Sequence, residues 1–493
     1  MPVDLRTRAQ TELILNNLEG AAAHPAQDRW DDDNVHDVDY LYRKNTILVR
    51  EQDADRVVDA LTRIFGSEGG EASEGGEAPE GGEAPEGGEA PEGGEPSEGG
   101  EAPEGEGPPP YGRQRVTAGV LSITLPQRLP PVPEVLDLLD EARLRGVGRT
   151  ESVLYVCPRP CPADEPGEVP LGTVDPFPPP GLEARCCCPG HCIPRLGCDG
   201  GGVFVSILDT GLLPDVAEDH PWLAGAQGTE ENPYEGDGTI GPYAGHGTFV
   251  AGCLRCAAPR VSVFVERAFG IDTAGAIFES DIASSLEDAF DRSPDILVFT
   301  FTTSTRQDQS LHTFDDIYER RIRYLKGLVV VVPAGNDGQR RPMWPAAYPW
   351  VISVGALTAS WRDRARFSNY GGWVDVYAPG EDLVNAFATG TYICNEPPIG
   401  ERREFHGMAK WSGTSFSTPI VAGLIAARMS ATGENGQQAA DSLLRLARSQ
   451  AIPGAGAVLY PGQACCEADH CHQVGTGQAG PACGCGGHTA LHG

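Results

Sequence analysis

Residues 205–215 read VSILDTGLLPD. Val205, Ile207 and Leu208 form the body of a short apolar run that ends on Asp209 and breaks at Thr210 and Gly211. A continuous apolar run of this length reads as a strand buried on both faces, and the glycine turn behind it leaves the carboxylate at the strand end. Working outward, the same form recurs in VFVSILD (203–209), VSVFVER (261–267), ILVFTF (296–301), GLVVVVPAG (327–335), WVISVGAL (350–357) and VDVYAPG (374–380), with helical patterns between the runs. Strands that lack an alternating polar face and are separated by helices predict a parallel sheet with helices on both faces, an α/β fold. We place this unit at residues 201–450.

Three segments in it carry a reactive side chain in a glycine-rich setting. Asp209 ends its strand, His246 lies in GHGTFVAG (245–252) just ahead of a helical pattern, and Ser415 opens the apolar helix GTSFSTPIVAGLIAA (413–427). A serine hydroxyl is a poor nucleophile until an imidazole removes its proton, and a carboxylate orients that imidazole and stabilises its cationic form. Ends of strands and starts of helices are where such groups converge in an α/β sheet. A helix N-terminus also favours the negative charge that develops on an acyl oxygen. Asn336, in the turn after the strand of GLVVVVPAGNDG (327–338), supplies a further amide donor for such an oxyanion.

The four segments DTG, GHGT-x-VAG, AGN and GTS-x-S-x-P, in this order, resemble the subtilisin-like serine proteases, and WPAAYPWVISVGAL (344–357) and FSNYGGWVDVYAPG (367–380) agree. The resemblance covers about residues 200–448. It implies a serine endopeptidase that works through an acyl-enzyme, with Ser415 as nucleophile, His246 as general base and acid, and Asp209 as the orienting carboxylate. Asn336 with the Ser415 amide would form the oxyanion hole. It implies protein or peptide substrates and no cofactor for catalysis. The competing reading is a catalytically silent peptide-binding or metal-binding scaffold on the same fold.

Substrate-binding positions implied by the resemblance are Thr300, Phe301, Thr302 and Gly335. Thr302 stands where the family has a glycine, and Met343 and Trp344 are large beside the pocket wall, so no preferred cleavage residue is inferred. A peptide would still add to this edge as a strand through main-chain hydrogen bonds. Arg340 and Arg341 follow Asn336 closely and suggest a preference for acidic substrate residues.

Upstream, NTILVR (45–50), DADRVVDALTRIF (53–65), RVTAGVLSITLP (115–126), VPEVLDLLDEARLRG (132–146) and TESVLYVCP (150–158) read as strand, helix, strand, helix and strand. This pattern predicts a small ferredoxin-like α/β domain over 36–157, after an N-terminal extension, 1–35. Its resemblance in order and position to the prosegment of many subtilases implies an intramolecular inhibitor lying over the cleft, with VLYVCP near the substrate groove. Residues 67–110 interrupt it with repeats of EGGEAP, whose glycine, proline and mutually repelling glutamates predict a disordered insert.

Residues 158–200 form a Pro/Cys-rich linker and 451–493 a Cys/His-rich tail. Their clusters are Cys186, Cys187, Cys188, His191, Cys192 and Cys198, then Cys465, Cys466, His470, Cys471, His472, Cys483, Cys485 and His488. Thiolates and imidazoles at short spacing suit zinc, yet the spacings match no standard paired finger. Zinc, disulfides and free thiols therefore all stay open, and Cys253 and Cys256 read as small core residues.

The formal net charge is −33, and the 14 glutamates of residues 67–107 carry much of it. Such acidity excludes a non-specific nucleic-acid binder. No stretch has the length of a membrane span, and no secretory signal is read at the N-terminus. A cytoplasmic location is therefore expected, with export by a non-standard route as the alternative.

Overall fold

The computed structural model describes residues 5–25, 38–66, 111–156, 165–181, 198–395 and 398–466. The acidic repeat and most of the two Cys/His clusters lie outside them.

Seven parallel strands form the central sheet, in the order 376–379, 352–357, 329–333, 296–299, 204–209, 262–267 and 227–228. The apolar runs expected to be strands are its strands, and the expected α/β class is the observed one. Alternation along these runs divides the core. Val205, Ile207, Val298, Val331 and Val354 face the helices His246–Ala257, Thr414–Thr432 and Gly436–Ser449. Leu208, Leu297, Phe299, Val330 and Val332 face Ile282–Asp291 and His312–Arg320. Both faces are therefore covered. Each fully buried side chain of this size contributes roughly 1.5–3 kcal/mol relative to leaving it in water.

A feature not read from the sequence is a long antiparallel hairpin, Leu383–Ile393 against Arg402–Trp411, which leads directly into the Ser415 helix. It delivers Trp411, at its end, to the neighbourhood of His246.

Upstream, strands 112–115, 120–124, 38–50 and 148–156 lie side by side, each pair antiparallel, with helices Ala54–Phe65 and Val132–Leu139 supplying the apolar side chains beneath. Within RVTAGVLSITLP the strand is Val120–Thr124; Arg115 ends the preceding strand Gly112–Arg115, and Thr117–Gly119 turn between the two. The first residues also differ from a bare extension: Leu5–Asn17 is a helix, and Ala21–Pro25 pairs with residues 38–43. This sheet does not stop at the upstream unit. Its strand Gly148–Val156 pairs antiparallel with Ala276–Phe278 on one side and with Phe301–Thr302 on the other.

Among the described residues no helix is long and apolar enough to cross a membrane.

Candidate active site

Asp209 reaches the site because its strand lies inside the sheet, between 296–299 and 262–267, and the chain turns away at Thr210, whose N–H donates to Asp209 Oδ1 at 2.6 Å. His246 begins the helix His246–Ala257. Gly245 precedes it at φ 75°, a left-handed conformation that favours glycine. Gly247 follows it, and a Cβ there would lie 2.3 Å from the Gly211 carbonyl oxygen. The GHG sequence is thus what lets the His246 helix approach the Asp209 turn, and Gly247 N–H closes the approach by donating to Thr210 Oγ1 at 3.0 Å.

Within this frame His246 Nδ1 lies 2.9 Å from both Asp209 Oδ1 and Asp209 Oδ2. Both side chains are buried. A carboxylate so placed accepts a hydrogen bond from Nδ1–H and leaves Nε2 as the acceptor. The imidazole is caged by Trp411, edge-on at 5.4 Å between ring centroids, and Phe416 at 5.0 Å. One small cleft is lined by Tyr243, His246, Trp411, Ser412, Gly413, Ser415 and Phe416. The structure therefore places Ser415 in one cleft with His246, which is held by Asp209.

Ser415 stands in the first turn of its helix, where backbone N–H groups lack helical acceptors. Its hydroxyl donates to the Thr300 carbonyl at 3.4 Å. Thr300 in turn donates its own hydroxyl to the Leu208 carbonyl at 2.9 Å, which ties the substrate-edge strand to the Asp209 strand. Asn336 is held by Thr414: its Oδ1 accepts from the Thr414 N–H at 2.9 Å and the Thr414 hydroxyl at 2.8 Å. The amide nitrogen then faces the Gly413 turn just ahead of Ser415, where a Cβ on Gly413 would lie 3.5 Å from it. Asn369 braces the same loop, accepting from the Asp337 and Gln339 N–H groups and donating to the Ala334 carbonyl. Neither Thr414 nor Asn369 was singled out from the sequence, although GTS and FSNYGG both contain the signal, a hydroxyl or amide next to a turn.

The candidate substrate edge is occupied. Phe301 pairs with Val156 and Thr302 with Tyr155, while Val153, Leu154 and Tyr155 pair on their other side with Phe278, Ile277 and Ala276. The expected strand addition is made here by the chain's own segment. The Phe301 side chain does not wall a pocket: it packs inward with Phe269, Phe299 and Phe314. Gly335, at φ 96°, has Asn369, Met343 and Thr302 around its Cβ position. Arg341 departs from the expected substrate role, because it is buried and ion-paired with Asp39 and Asp308.

Two candidate zinc ligands are corrected. Cys198 and Cys465 are bonded to each other, and disulfide sulfurs are not thiolate donors. Cys466 is buried, and Cys253 and Cys256 are free, buried thiols. Among the described residues no group of three or more His, Cys, Asp or Glu could hold a metal ion. Cys186, Cys187, Cys188, His191, Cys192, His470, Cys471, His472, Cys483, Cys485 and His488 lie outside the described residues.

The subtilase family model matches residues 200–450. Subtilisin BL of Lederbergia lenta is 30% identical over 245 residues, 47% of this chain and 77% of the relative. A thermophilic serine proteinase of Bacillus sp. (strain AK1) is 32% identical over 247 residues, 48% of this chain and 53% of the relative, so the match spans about half of that protein. Among solved structures, a cold adapted subtilisin-like serine proteinase aligns with a TM-score of 0.40 at 23% identity, covering 53% of this chain and 90% of the other. With a parallel α/β sheet, an Asp–His pair at its strand end and a family match over half of its length, the chain belongs to the subtilase family of serine endopeptidases.

Proposed function

We propose that residues 200–450 hydrolyse peptide bonds with Ser415 as nucleophile, His246 as proton carrier and Asp209 as its orienting carboxylate. In this reading Ser415 Oγ bonds to the scissile carbonyl carbon while its proton passes to His246 Nε2. The carbonyl oxygen, now negative, is stabilised by the Asn336 amide and the Ser415 N–H. Collapse breaks the C–N bond as His246 returns the proton to the leaving amine, and water repeats the sequence to release the acid. No step calls on a cofactor.

The observation that carries the reading is the buried contact of His246 Nδ1 with both Asp209 oxygens at 2.9 Å, in a cleft shared with Ser415. We further propose that residues upstream of 157 hold the enzyme inactive. The strand Gly148–Val156 runs between Ala276–Phe278 and Phe301–Thr302, where an extended substrate would pair. Hydrolysis of a mixed peptide library by the wild-type chain, compared with Ser415→Ala, tests the activity. Products in both samples at equal rates would exclude Ser415 chemistry. Products in neither, even after residues 1–157 are removed, would favour the silent scaffold.

A further inference from the structure

Behind the Asp209–His246 pair lies a carboxyl group that the mechanism above does not use. Glu231 is buried and comes from the loop between the strand 227–228 and the His246 helix. Its Oε1 accepts the Gly245 N–H at 3.0 Å. Its main chain is anchored on the other side, since its N–H donates to the Leu212 carbonyl at 2.9 Å. Glu231 therefore holds the turn after Asp209 with its main chain and the residue before His246 with its side chain.

We propose that Glu231 is a positioning residue of this site: it clasps the Asp209 turn to the His246 helix through its main-chain N–H and its carboxyl oxygen.

Two charged groups act on it from the packed elements: Asp209 from the strand 204–209 and Arg267 from the strand 262–267. Burial pushes the Glu231 carboxyl well above the usual range, Asp209 pushes it the same way, and Arg267 opposes more weakly. Two adjacent buried carboxylates cannot both be charged cheaply, so burial and the neighbouring Asp209 disfavour the charged form of Glu231. A glutamine would preserve the clasp, its carbonyl accepting from Gly245, but could not ionise.

This inference rests on the proposed roles of Asp209 and His246, and its test separates the two. The full-length chain is titrated by proton NMR, following the low-field His246 Nδ1–H resonance. In the wild type an alkaline step accompanies ionisation of Glu231 beside Asp209. In Glu231→Gln that step is absent. This arm does not need Ser415 to be a nucleophile. In parallel, the rate at which a fluorophosphonate labels Ser415 is measured against probe concentration. Glu231→Ala is expected to lower the saturating rate at least tenfold with the half-saturating concentration unchanged, and Glu231→Gln to restore it to within about threefold. If Glu231→Ala does not fold, the Glu231→Gln titration decides alone. An alkaline step that survives in Glu231→Gln, or a wild-type saturating rate in folded Glu231→Ala, overturns the inference while leaving the proposed function standing. Absence of labelling in the wild type bears instead on the proposed function.

Discussion

Val156 lies opposite Phe301 in an antiparallel pair, one residue along from Thr300, whose carbonyl accepts the Ser415 hydroxyl at 3.4 Å. The chain's own strand thus ends beside the proposed nucleophile, and several groups hold it there. Arg306, buried in the catalytic unit, is ion-paired with Asp137 and Asp140 of the upstream unit. Removing both partners leaves a buried guanidinium uncompensated, a change that typically costs about 3–5 kcal/mol. Asp137→Asn combined with Asp140→Asn is therefore expected to raise fluorophosphonate labelling of the full chain at least tenfold. An unchanged rate would mean that these pairs do not keep the cleft shut.

Proton linkage of the same contact has two arms of opposite sign. Glu279 N–H donates to Ser152 in the cleft strand, and burial pushes the Glu279 carboxyl up to about 8 from an ordinary 4.5. The docked state holds that proton more tightly than a state in which water reaches the carboxyl. Docking support from Glu279 is therefore full below about pH 4.5 and lost as pH rises through about 8. His312 Nε2 meets the Val147 carbonyl of the upstream unit at 3.1 Å, and burial pushes this ring down to about 4 from an ordinary 6.5. Its contribution is undiminished above about 6.5 and weakens as pH falls toward 4. Labelling rates between pH 6 and 9 should rise more steeply in the wild type than in Glu279→Gln. Between pH 7.5 and 5.5 the wild type should release roughly tenfold relative to His312→Asn. Parallel pH profiles in wild type and variants would contradict both arms.

Thr414 makes its prediction through Asn336. Its hydroxyl donates to Asn336 Oδ1 and accepts the Gly335 N–H at 3.2 Å, so it fixes which end of the amide faces the Ser415 turn. Thr414→Val should lower kcat about tenfold or more with little change in KM, since an oxyanion donor acts mainly in the transition state. Thr414→Ser should recover most of it. Equal kcat in the valine variant and the wild type would remove Asn336 orientation from the mechanism.

The Cys198–Cys465 bond joins residues 267 apart in sequence and ties the two ends of the catalytic unit together. Chain-entropy arguments set its contribution at up to about 5–6 kcal/mol. Cys465→Ser, or reduction of the wild type, should lower the thermal midpoint by roughly 5–15 °C. A midpoint insensitive to reductant would show that the bond does not staple the fold.

How much of this was legible in the sequence follows from the range of the contacts. The strand runs and the settings of Asp209, His246, Asn336 and Ser415 could be read because each is a local signal: an apolar run, a glycine turn or a helix start. The occupation of the cleft by VLYV was legible only in outline, since its register against Ile277 and Phe301 is set by two distant edges. Trp411 and Phe416 flank Ser415 in sequence, but nothing local says that they close around His246, which lies across the core. Glu231 was hidden for the same reason. In TEENPYEGDG it looks like one more solvated acid, and only the return of the chain under Gly245 makes it a clasp. The Cys198–Cys465 pairing carries no local mark at all, and the density of neighbouring cysteines left zinc, disulfides and free thiols all open.

The most direct test of the central claim is mass-spectrometric mapping of a fluorophosphonate adduct after its exposure to the full-length chain at neutral pH. The account predicts a single adduct on Ser415, lost in Ser415→Ala and strongly reduced in His246→Ala. It also predicts that labelling speeds up when the strand 148–156 is released from the cleft. An adduct on any other residue, or persistent absence of an adduct on Ser415 after release of that strand, would contradict it.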